Sequence, residues 1–135
     1  MRLRPLPFLS AAALALSGAA ASLAQAQPLA PSASPACTAG HSAACTLQDF
    51  EAVRDATETL YGDVLLVLSA HERPALRADQ AQWRRQARQH CQQQAPLRGD
   101  MAAPGNSAHH ACMVSQHLER RRVLRQHWLM GGGVP

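Results

Sequence analysis

The chain has 135 residues, 47% of them hydrophobic, 16% charged and 4% aromatic, with four cysteines and no lysine. That length holds one small domain and excludes a two-domain enzyme. The formal charge of +4 at pH 7 overstates how basic the working domain is, because Arg2 and Arg4 stand in an N-terminal segment built like a secretion signal.

In that segment Arg2 and Arg4 form the positive start, and Leu6 to Leu23 an apolar run. Ala24-Gln25-Ala26 supplies the small-x-small pattern accepted by signal peptidase, so the mature chain is expected to begin at Gln27. A retained anchor fits less well, since Ser10, Ser17 and Gly18 interrupt a run short for a span of about 20 predominantly apolar residues. The first cysteine, Cys37, lies too far past Ala26 for a lipoprotein signal. The reading is a periplasmic or secreted protein with no membrane span after cleavage. Its parts are a signal peptide at 1–26, a flexible leader at 27–44, a helical domain at 45–129 and a Gly-rich tail at 130–135. Beyond residue 26 there are 11 arginines and 9 acids, a net +2. Residues 37–79 carry −4 and residues 80–135 carry +6, so the module is dipolar.

The leader is rich in Pro, Ala and Ser and shows no periodicity. From Thr46, Leu47, Phe50, Val53, Ala56, Leu60, Val64 and Val67 recur every three or four residues, which predicts a helix with one apolar stripe. Thr46 is its expected N-cap, with Asp49 in the capping-box position. Pro74 ends this helix and starts a second over about 74–95, on which Leu76, Gln80, Trp83, Ala87 and Cys91 share a face. Trp83 reads as a core anchor of the bundle. Pro96 closes the second helix, and 96–107 form a Gly/Pro loop. Ser107 is read as the cap of a third helix running to about Leu129, with Ala111, Val114, Leu118, Leu124 and Trp128 facing inward. No strand-like alternation is visible, so the fold class is all-α, a small three-helix bundle stapled by disulfides.

Cys37, Cys45, Cys91 and Cys112 allow three pairings. An exported chain meets an oxidising compartment, which favours two disulfides over thiolate chemistry. Cys37–Cys45 with Cys91–Cys112 is preferred, because each link closes a local loop between consecutive elements. The competing reading is zinc, suggested by His90-Cys91 and by His109-His110 beside Cys112. Neither pair has the spacing of a strong metal motif, so no metal and no cofactor are expected.

No catalytic constellation emerges, and the chain is not read as an enzyme. Glu51, Asp55 and Glu58 share a helix face, yet nothing dictates the burial that would turn them into an acid and a base. Gly131-Gly132-Gly133 neither follows a strand nor precedes a helix with Lys, as a phosphate loop would. The basic run Arg120-Arg121-Arg122 with Arg125 lacks the interleaved aromatics of a nucleic-acid surface. It is read instead as a helix face matching the charge of the acidic first helix, and no nucleic-acid partner is expected.

These residues resemble the LprI-type family of small cysteine-containing exported domains, named for a lysozyme inhibitor. Cys45 and Tyr61 match a Cys with a Tyr sixteen residues on, and Leu76, Gln80, Trp83 and Cys91 match a Leu-x3-Gln-x2-Trp-x7-Cys segment. A Gly/Ser-bearing loop follows at Gly105-Asn106-Ser107, then Cys112, then an Arg and a Leu matched by Arg121 and Leu124. The likeness covers about 37–125. Arg54, Thr57 and Glu58 depart from it, standing where the family carries Asp and a Leu-Asn pair. So does Ala87, which replaces an Arg although Arg88 stands beside it. The resemblance implies a helical module that binds and inhibits lysozyme or another envelope protein. Asp49, Glu51, Asp55 and Glu58 on the acidic first helix are the expected contact surface. The alternative is a non-inhibitory structural or stress-related envelope domain. Oligomeric state is left open.

Overall fold

The structure is a computed structural model that describes residues 33, 37 and 42–130. The expected signal peptide, nearly all of the leader and the stretch 131–135 lie outside the described residues. Three helices carry the fold: α1 over Leu47–Val67, α2 over Arg73–Gln94 and α3 over Ser107–Val123. A short 3-10 turn, Ser42–Ala44, precedes α1, and a π-helical segment, Leu124–Met130, extends α3. No strand occurs among the described residues. The sulfurs pair as Cys37–Cys45 and Cys91–Cys112, which removes the thiolates the zinc reading required.

Local chemistry sets the helix ends. Thr46 caps α1 through a complete capping box: its Oγ1 accepts from the Asp49 N–H at 3.1 Å, and the Asp49 carboxylate accepts from the Thr46 N–H at 2.9 Å. The first helix stops at Val67, short of the expected break at Pro74. A second reciprocal pair explains the early stop. Ser69 N–H donates to the Glu72 carboxylate at 3.0 Å, and Glu72 N–H donates to Ser69 Oγ at 3.3 Å. Ser69-x-x-Glu72 is therefore a capping box one turn ahead of α2, with Pro74 tolerated in the first turn.

Ser107 is the first residue of α3, not its cap. Asn106 occupies the cap position and spends its side chain on the preceding loop. Its Nδ2 donates to the carbonyls of Arg98, Asp100 and Ala103 at 2.8–3.1 Å, and its Oδ1 accepts from Arg98 N–H at 2.8 Å. Gly99 and Gly105, at φ 65° and 87°, supply the left-handed turns that let the loop fold around this amide.

The chain runs up, down and up, but the three helices do not pack equally. α3 packs against both of the others, most extensively against α1, whereas α1 and α2 hardly approach each other. The bundle is therefore a V with α3 as its floor. Its core has two apolar ends. One gathers Phe50, Val53, Met113, Val114 and the cystines; the other gathers Val64, Leu68, Leu76, Leu124 and Trp128. Between them lies a polar waist of buried Thr57, Gln80, His117 and Arg120.

The observed stripe departs from the expected one at several points. Thr57 replaces Ala56 as the fully buried residue, with its hydroxyl donating to the Val53 carbonyl at 2.7 Å. Leu68 is buried in place of Val67, which is 70% exposed. Leu118 is exposed, and the inward positions beside it belong to His117 and Arg120. Trp83 is half-buried rather than core, because it stands on the wall of the V.

Candidate functional site

The space between α1 and α2 is a cleft floored by α3. Phe50 and Arg54 come from one wall, Trp83 and Arg84 from the other, and Met113 and His117 from the floor; the volume there is about 230 Å3. It continues past Phe50, Arg88 and Met113 into a space of about 580 Å3 under the 95–106 loop, bounded by Leu97 and Met101. The Glu58 carboxylate and the Arg84 guanidinium form an ion pair that ties the two walls together. Arg84 also lies over the Tyr61 ring, and Arg54 over Phe50, each 5.7 Å from the ring centroid.

Beneath the cleft the waist is organised by Arg120. This guanidinium is buried, yet Nε donates to Gln80 Oε1 at 2.7 Å and Nη2 reaches the Asp79 carboxylate at 2.6 Å. Its Cζ also lies over the Trp83 ring, 5.4 Å from the centroid. One cation thereby fixes Gln80, Trp83 and the α2–α3 register. Beside it, His117 packs edge-on against both Trp83, at 5.0 Å, and Phe50, at 5.7 Å. Burial, with Arg54 and Arg84 nearby, pushes its pKa down to about 4, so at neutral pH the ring is uncharged.

The residues singled out from the sequence fall in different places. Leu76, Gln80 and Cys91 are core residues of α2, and Tyr61 packs partly buried on the Val64 cluster. Of the basic run, Arg120 rather than Arg121 joins Gln80 and Trp83. Arg121 is partly buried with an unpartnered Nε, and Arg122 pairs with Glu119 on its own helix. Among the described residues no ion pair links the basic run to an acid of α1: Arg120 pairs with Asp79 and Arg122 with Glu119. The acidic set also divides: Asp49 is buried in the cap, Asp55 binds Arg54, Glu58 binds Arg84, and Glu51 stands exposed.

The sequence pattern did not single out His117 or the buried role of Arg120 within the basic run, and it placed Arg88 only as the neighbour of Ala87. A polar residue at an inward helical position was the available signal for the first two.

The fold and its staples define a class: a small all-helical domain held by two local disulfides and built around a polar waist. Within that class, residues 30–124 match the family described as Lysozyme inhibitor LprI, and the chain belongs to that family. No curated protein and no solved structure gives a significant match to the chain. Among the described residues no helix is long and apolar enough to cross a membrane, and no group of His, Cys, Asp and Glu gathers as a metal site.

Proposed function

We propose that the protein is an exported, disulfide-stapled binding module that inhibits lysozyme by protein–protein contact. The observation that carries this reading is the family match over residues 30–124. Export is supported by the signal-like first 26 residues and by the two disulfides, which persist in an oxidising compartment.

The contact strip is proposed along α1 from exposed Glu51 through Asp55 to Glu58, which borders the cleft. Asp49 drops out, because its carboxylate is committed to the Thr46 cap. Glu51 is unpaired at the surface, whereas Asp55 and Glu58 must exchange Arg54 and Arg84 for groups on a cationic partner. Surface pairs of this kind are worth about 0–1 kcal/mol, so the exchange is inexpensive. Calorimetric titration of a cationic lysozyme tests the strip. Glu51→Ala/Asp55→Ala/Glu58→Ala is expected to weaken binding at least tenfold with helicity intact, and unchanged affinity would remove the strip from the interface.

A second reading is favoured by the same ion pairs. Asp55 and Glu58 are already neutralised from within the chain, which suits an envelope domain whose acidic face serves the fold and not a cationic enzyme. Failure to bind any lysozyme in that titration would select it.

A further inference from the structure

The cleft between α1 and α2 has a chemistry that inhibition of a cationic enzyme does not use. Its smaller part carries the charge, with Arg54, Glu58, Arg84 and Arg88 around buried His117. Its larger part exposes mainly apolar surface, with Leu97 and Met101 extending the surface begun by Phe50 and Met113, and Gln89 and Gln92 beside them. The two parts meet at Arg88; the larger, about 580 Å3, has the volume of a small-ligand site, and the smaller, about 230 Å3, adjoins it.

Two polar groups in this cleft lack partners. Arg54 is held by Asp55 and Arg84 by Glu58, but Arg88 makes no hydrogen bond or ion pair among the described residues. The His117 ring is 4% exposed, and its buried Nδ1 has no hydrogen-bond partner. An unmatched buried nitrogen is costly, and with the neutral ring in its Nδ1–H tautomer the group that would match it is an acceptor.

We propose that this cleft binds a single-chain amphiphile with a carboxylate head. The head sits at the junction beside Arg88 and over the His117 floor, and the tail runs along Leu97, Met101 and Met113. One unengaged guanidinium matches one planar carboxylate, which it can grip with two parallel hydrogen bonds. A phosphate head, with up to two charges, is best matched by a second free guanidinium, and here that requires opening the Arg54–Asp55 or the Arg84–Glu58 pair. A sugar chain would need several free hydroxyl-binding side chains, whereas beside Phe50, Leu97, Met101 and Met113 this surface offers Gln89 and Gln92, and the Gln92 oxygen is already held by the Leu97 N–H. The inference is independent of lysozyme inhibition, and either can fail without the other.

The test is calorimetric titration of the oxidised protein with dodecanoate below its micelle concentration. Dodecyl phosphate, dodecyltrimethylammonium and dodecyl maltoside serve as separate arms, and NMR locates the site. Dodecanoate is expected to saturate at one per chain, to bind best of the four and to shift the His117 ring signals. Arg88→Gln, at an exposed and unpaired position, should weaken it about tenfold, the scale of a lost charge-assisted contact. Leu97→Ser should also weaken it, with the circular dichroism unchanged in both variants. No saturable binding, equal binding of the maltoside, or an Arg88→Gln affinity equal to the parent would overturn the proposal. So would shifts confined to exposed Leu66 and Val67, and tighter binding of dodecyl phosphate would overturn the carboxylate assignment.

Discussion

Arg120 shows how one side chain fixes the centre of this molecule. Removing a guanidinium from water costs several kcal/mol, and the loss is recovered only if every partner is in place. Here Gln80, Asp79 and the Trp83 face together supply the recovery. Arg120→Ala is therefore expected to cost about 2–4 kcal/mol in urea denaturation, whereas Arg122→Ala, on the exposed side of the same helix, should cost under about 1 kcal/mol. His117 gives a pH signature. The unfolded chain takes up a proton on this imidazole near 6.5, but the folded one only at about 4. The unfolded state thus binds more protons across that window, and stability falls as pH drops from about 6.5 to about 4, with no contribution above it. The loss is on the order of 3 kcal/mol, and His117→Gln should flatten the slope in denaturation curves measured across that range. Leu76, Gln80, Ala87 and Cys91 were legible in the sequence because they fall on one 3.6-residue face. His117 and Arg120 were not, because a stripe drawn through apolar residues passes over a polar residue that is buried with its partners.

At the scale of elements, the two local disulfides and the Asn106 amide do what a small core does less well alone. The Cys91–Cys112 bridge spans 21 positions, so it contributes about 3 kcal/mol by restricting the unfolded chain. Cys91→Ala/Cys112→Ala should lose about that much stability in urea, with α3 still helical by circular dichroism. Asn106→Ala should instead release the 96–105 amides to faster hydrogen exchange, at a cost of about 1–3 kcal/mol, because several loop carbonyls lose their donor at once. Helix existence was legible from periodicity, and the Thr46–Asp49 cap from its spacing. The boundary at Val67 was not legible from Pro74, because the polar pair Ser69-x-x-Glu72, and not the proline, sets the turn that ends the helix. The role of Asn106 was hidden too, since an amide's choice between a helix end and a loop depends on where the loop carbonyls are brought by Gly99 and Gly105.

For the whole molecule, the decisive feature is the splay of α1 from α2 over α3. It could not be read from three amphipathic stripes, which predict three helices in contact and say nothing about which pair opens. The opening leaves the Trp83 wall accessible and sets Glu58 of α1 against Arg84 of α2, so part of the dipolar charge of the sequence is spent inside the fold. A net +2 beyond the signal-like segment repels a cationic enzyme at long range, and association with one must rest on local contact. Binding that depends on the α1 acids should weaken as salt rises from low to physiological strength, where charges separated by more than about 8 Å are screened. The most direct measurement is lysis of bacterial cell walls by a panel of lysozymes, with graded amounts of the oxidised protein, residues 27–135, at low salt. Dose-dependent slowing of lysis by at least one enzyme, lost when the disulfides are reduced, is the predicted result. Undiminished lysis by every enzyme, with the protein folded and in excess, would contradict it.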